Sequence, residues 1–188
     1  MFPVIFVVGI ALVLFLIGLS IYNGLIRKKN NVKNTFSTID VMLKKRHDLI
    51  PNLVETVKKY MQHERETLTE IVKLRLQIVD NSNISDDERM KLESQLSSKL
   101  SGLKINIENY PDLKANTNFL SLQDSMNEIE AQLSAARRTY NAAVLDYNNA
   151  LEMFPSNMFA SRMNYKPANF IEIPEAERAN PDVKSLFE

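Results

Sequence analysis

Cysteine and tryptophan are absent from the 188 residues, and glycine occurs only four times. Without cysteine there is no disulfide, no thiol nucleophile and no zinc–thiolate site, although the lack is neutral on compartment. Gly9, Gly18 and Gly24 lie in or beside an N-terminal apolar run, which leaves Gly102 for the rest of the chain. Phosphate-cradling loops and tight hairpins need several glycines to reach positive backbone angles. Nucleotide-binding loops and all-β folds are thereby excluded. Metal motifs are missing too. Helical di-iron proteins use Glu-x-x-His, but the residue three before His47 is Lys44 and the one three before His63 is Tyr60. His63-Glu64 opens like a zinc-protease motif and fails at Thr67. On one helix the two histidines stand about 24 Å apart, so they share no metal within one chain. Both read as ordinary surface or interface residues. No catalytic residue, cofactor or metal site is expected, and the chain reads as a non-enzyme.

Charge is absent at the start and unevenly spread afterwards. No charged side chain precedes Arg27, and Val4 to Leu19 is an unbroken apolar run. Taken as a helix, Phe2 to Tyr22 measures roughly 31 Å, against a hydrocarbon core of about 30 Å. A cleaved signal peptide would want a basic start, a shorter run and a small-x-small cleavage site, so residues 1–22 read as a retained transmembrane anchor. Asn23 to Arg75 carries twelve Lys and Arg against six Asp and Glu, and the remainder reverses the bias. Arg27, Lys28, Lys29 and Lys33 form a membrane-proximal basic cluster suited to anionic lipid headgroups. The positive-inside tendency puts the N-terminus outside and the domain at 23–165 in the cytoplasm, making this a single-pass cell-membrane protein. A basic arm for nucleic acid would be followed by groove-reading or aromatic modules. None is visible, so no nucleic-acid partner is expected.

Beyond the anchor the pattern is heptad. Positions 36, 43, 50, 57, 64, 71 and 78 and positions 32, 39, 46, 53, 60, 67 and 74 carry eleven apolar or aromatic residues out of fourteen. The phase is never reset, which predicts one amphipathic helix from the membrane to about Val79. DNSNISDD is a loop, and Ser85 with Glu88 forms a capping box for a second helix lined by Leu92, Leu96, Leu100, Leu103 and Ile107. Pro111 in ENYPDLKAN stops it. Asn116 caps a third helix whose seam runs from Phe119 to Phe154, with Ala136, Ala143 and Ala150 alternating with Tyr140 and Tyr147. A short helix follows Pro155, and residues 166–188, with three prolines, form an extended tail. The expected fold is all-α: a transmembrane helix continuing into an elongated antiparallel bundle of three long coiled-coil-like helices. The first would be much the longest and, unless the third covered all the excess, would leave apolar seam free for another subunit.

IDVMLKKRHDLIPNLVE, Ile39 to Glu55, is the one stretch crowded with chemistry. Heptad phase turns Ile39, Leu43, Ile50 and Leu53 to the seam and Lys44 and Lys45 to water. Arg46 and Glu64 occupy seam positions and are expected to make buried polar or interface contacts, because a buried guanidinium needs a carboxylate or carbonyls. Pro51 frees the carbonyl of His47 and is expected to kink the helix without breaking it. Tyr-Asn recurs seven residues apart in YNAAVLDYNNA, read as seam stacking.

Three blocks together carry a family resemblance: YNGLIRKKNNVKNTFSTIDVMLKKRHDLIPNLVETVKKYMQHE, ENYPDLKANTNFLSLQ and EAQLSAARRTYNAAVLDYNNALEMFPSN. In combination they resemble the LemA family of bacterial single-pass membrane proteins. The resemblance implies an N-terminal anchor with a tiny outside end and a cytoplasmic helical domain. It supplies no catalytic residues to carry over. The function expected is a membrane-anchored helical scaffold that self-associates, binds membrane lipids and organises membrane or membrane-protein partners. The alternative is an accessory or sensor subunit of a membrane enzyme such as a protease.

Overall fold

The computed structural model describes residues 2–81 and 84–171. Among these the chain is all-α: α1 (Phe2–Lys58), α2 (Arg65–Val79), α3 (Asp86–Asn106), a 3-10 turn (Ile107–Asn109), α4 (Pro111–Lys114), α5 (Thr117–Glu152) and α6 (Ser156–Arg162). Contacts divide it into two units: Met1–Ile39 with Ala135–Ile171, and Asp40–Ser134. The part of the expected tail at 172–188 lies outside the described residues.

In the unit Asp40–Ser134 the long first helix expected from heptad phase is two helices. α1 ends at Lys58, where the N–H groups of Tyr60 and Met61 both donate to the carbonyl of Val57 at 2.9 Å. The chain then turns and α2 runs back along α1, as the bond from Arg75 Nε to the carbonyl of His47 shows. Two of the three non-apolar seam positions, Glu64 at the end of this turn and Thr67 in the first turn of α2, mark it. A continuous helix would hold a polar interval there and leave everything beyond it without a neighbour. Folding back buries Leu68, Ile71 and Ile78, at about 1.5–3 kcal/mol for each aliphatic side chain. A few helical hydrogen bonds, at about 0.5–1.5 kcal/mol net each, weigh less. The seam expected to remain free for another subunit is therefore largely consumed within the chain.

α3 runs parallel to α1, with Arg89 paired to Asp40 at 2.9 Å and Ser97 beside Arg46 at 2.6 Å. α5 runs antiparallel, with Asn116 donating to Tyr60 Oη at 3.0 Å and Glu130 meeting Arg46 at 2.9 Å. The core between these helices is Ile50, Leu53, Val57, Met61, Leu68, Ile71, Ile78, Leu96, Leu103, Ile107, Leu113 and Phe119. The expected caps are present: the Glu88 N–H bonds Ser85 Oγ at 3.2 Å and the Phe119 N–H bonds Asn116 Oδ1 at 3.0 Å. Pro111 opens α4 rather than stopping α3, because its missing N–H and fixed φ suit a first helical position.

The other unit pairs the start of α1 with the end of α5. Phe36 packs against Tyr140 with ring centroids 5.6 Å apart, and Lys28 lies 3.6 Å from Asp146. Ala136, Tyr140, Ala143 and Tyr147 are buried, while Phe154, expected on the same seam, is 79 % exposed because α5 ends at Glu152. α6 closes with Asn164 at φ 52°. The Tyr165 N–H reaches the Ala160 carbonyl and the Asn164 N–H reaches that of Ser161, both at 3.1 Å. This is the left-handed cap that asparagine tolerates. The chain then lies along α5: Asn148 exchanges both amide bonds with Ala168, Asn141 does so with Ile171, and Tyr140 donates to the carbonyl of Asn169.

Pro51 sits inside α1 and the helix continues through it. Proline cannot donate to the carbonyl four residues back, and Arg75 supplies that bond at 2.9 Å. Arg75→Ala is expected to cost about 1–3 kcal/mol by orphaning the carbonyl, measured by urea unfolding of the detergent-solubilised chain. Adding Pro51→Ala restores an N–H donor, so the double variant should recover most of that loss.

Candidate functional site: a buried ion network and a basic face

Arg46 is the largest fully buried side chain among the described residues, at 0 % exposure. α1 carries it at a seam position, between the apolar layers of Leu43 and Ile50. Nη2 pairs with Glu93 of α3, while Nη1 bonds Ser97 Oγ of α3 at 2.6 Å and Glu130 Oε1 of α5 at 2.9 Å. The next residue, His47, is buried rather than superficial, and its Nε2 lies 3.0 Å from Glu93 Oε1. Glu93 is thus gripped from two sides. Burial alone would push its carboxyl up, but the His47 hydrogen bond, the Arg46 charge and the His47 charge together outweigh burial and hold it below its ordinary value.

The sequence placed Arg46 on the seam but left its partners unnamed. Glu93 was legible in principle, because it stands seven residues before Leu100 and so shares that seam column. Ser97 and Glu130 flank buried Leu96 and Ile129 and carry no such signal. Glu64, grouped with Arg46 by heptad phase, is not part of the network. It is half-buried at the N-terminus of α2 and makes no side-chain capping bond, because the turn at 59–64 removes it from the α1 seam. His63 is exposed.

Arg27, Lys29 and Lys33 are exposed on α1 and Lys28 is half-buried. Lys29 Nζ sits 4.2 Å above the Tyr165 ring, and Lys28 meets Asp146. Beside the Lys28–Asp146 pair is an open cavity of about 430 Å³ lined by Arg27, Lys28, Asn30, Asn31, Asn34, Ala143 and Asp146. On the N-terminal side of this face α1 is the one helix, among the described residues, long and apolar enough to cross a membrane. Its large apolar side chains from Val4 to Leu19 are 42–70 % exposed, so no protein core covers them. Among the described residues no group of His, Asp and Glu is arranged to hold a metal ion.

The model of the LemA family matches residues 35–185. The chain belongs to the LemA family. A curated relative, Protein LemA of Metamycoplasma hominis, is 27 % identical over 164 residues, covering 87 % of this chain and 74 % of the relative. The LemA match takes in the ion network and the Asn141 and Asn148 contacts, and begins after the span and the basic cluster.

The network makes a two-part prediction. Arg46→Ala strands buried carboxylate and should destabilise by about 3–5 kcal/mol, whereas Arg46→Met combined with Glu93→Leu should cost clearly less than that single change. Because the folded protein favours ionised Glu93, its stabilisation is present above the unfolded carboxylate value of about 4.3 and lost as pH falls through the lower folded value. Urea midpoints measured from pH 6 to about 3 should therefore fall less steeply in Glu93→Gln than in the parent.

Proposed function

We propose that this LemA-family protein is a non-enzymatic, membrane-anchored helical scaffold that gathers membrane-protein partners, copies of itself included, at the inner face of the cell membrane. One observation carries the reading: in α1 an exposed apolar segment long enough to span is followed directly by the cluster Arg27, Lys28, Lys29 and Lys33. That arrangement favours a cytoplasmic domain and contact with anionic headgroups, at about 1 kcal/mol per basic residue near the surface. In the unit Asp40–Ser134 the buried Arg46, His47 and Glu93 are turned on one another. This suits structural roles better than substrate turnover. With Leu68, Ile71 and Ile78 covered by the chain itself, partner contact in that unit falls to exposed Val41, Leu76, Val79 and Leu120.

The natural lack of cysteine makes the test clean. Asn118→Cys, at an exposed position, should resist an impermeant thiol reagent in intact cells and react after lysis; labelling in intact cells would reverse the topology. Native mass spectrometry of the full chain in nanodiscs should show more than one copy per particle as loading rises. A strictly monomeric particle would remove self-association. In-cell crosslinking that captured one foreign membrane protein would move the assignment to an accessory subunit.

A further inference from the structure

The turn between α5 and α6 is the most exposed apolar surface outside the span. Phe154 is 79 % exposed, Met158 65 % and Met153 63 %, ahead of every other large apolar side chain beyond Tyr22 among the described residues. Met153 to Ser161 contains no charged residue, and Glu152 and Arg162 bracket it. Its position is given by α1: a methyl group in place of the Gly18 hydrogen would sit 3.5 Å from Cζ of Phe159. Gly18 lies four residues before Tyr22, about 6 Å deeper along the helix. Apolar faces of interfacial helices bury about 5–10 Å into the boundary between headgroups and acyl chains. Lys28 meets Asp146, six residues before the end of α5, so the basic cluster stands on the headgroup side of the same turn. The depth of Phe159 and the position of the charges both match one leaflet.

We propose that Met153–Ser161 is a second membrane-contacting element, which inserts Phe154 and Met158 into the leaflet beside the basic cluster. This rests on the reading of Phe2–Tyr22 as a span. The domain is then held to the bilayer at two points, the second of them re-entering the leaflet after α5.

Depth-sensitive quenching on the full chain tests it. Single variants Phe154→Cys, Met158→Cys, Phe15→Cys and Asn118→Cys are labelled with bimane. They are reconstituted in vesicles of phosphatidylcholine and phosphatidylglycerol, with or without a lipid doxylated near the top of its acyl chain. Probes at 154 and 158 should lose about half their fluorescence to the doxyl lipid and resist aqueous iodide several-fold better than the probe at 118, as expected for interfacial burial. Iodide quenching at 154 and 158 equal to that at 118 overturns the proposal. Shielding from both quenchers also overturns it, since the cover is then protein, a second copy or a partner. A probe at 15 that iodide reaches as readily as the probe at 118 overturns the span and this proposal together, whereas shielding from iodide at 15 without doxyl quenching at 154 and 158 overturns this proposal alone.

Discussion

A guanidinium taken wholly out of water must find carboxylate at fixed positions, and in the unit Asp40–Ser134 this requirement sets where the helices stand. The Arg46 fork reaches Glu93 and Ser97 on α3 and Glu130 on α5, tying three helices at one level. Apolar seams repeating every seven residues are nearly indifferent to a slip of one heptad, about 10 Å along the axis. Such a slip would still bring leucine against leucine. It would also leave Arg46 and Glu93 buried without each other, at a cost of several kcal/mol. The network therefore removes the degeneracy that the repeat creates, as a buried polar residue does for register in coiled coils.

Helical content, helix caps and the apolar columns of α3 and α5 were legible because they depend on local spacing. Ser85, Asn116 and the alternation of Ala136, Tyr140, Ala143 and Tyr147 stand where periodicity put them. The reversal after Lys58 was not legible, because no glycine or proline marks it. Its signal was the polar interval Glu64 and Thr67 in a seam whose other non-apolar position is Arg46, and heptad phase survives such an interval unchanged. Chain reversal there is decided by what α2 gains against α3, a tertiary quantity. The same reversal separates Arg46 from Glu64, which phase alone treats alike. His47 was misread for a related reason: it lies next to the seam, and only α3, by presenting Glu93, makes that flank an interior.

Backbone accounting explains two further features. Proline in mid-helix leaves a carbonyl without its donor, yet α1 continues through Pro51 because α2 returns with Arg75 at the level of His47. The helical hairpin thus makes the proline tolerable, and the proline in turn gives the hairpin a specific bond that alternative registers lack.

The other feature is the segment after α6, which has no secondary structure to satisfy its peptide groups. Asparagine resolves this with one side chain, since its amide donates to a carbonyl and accepts from the N–H of the same residue. Two such clamps work together only if their spacing fits both partners. Asn141 and Asn148 are seven residues apart on a helix, about 10.5 Å. Ala168 and Ile171 are three apart on extended chain, about 10 Å. The heptad that spaces Tyr140 from Tyr147 for packing therefore also spaces the neighbouring asparagines to hold an extended segment. The Tyr-Asn repeat has two functions: the tyrosines fill the layers between alanines, and the asparagines fix the returning chain along α5 beside them.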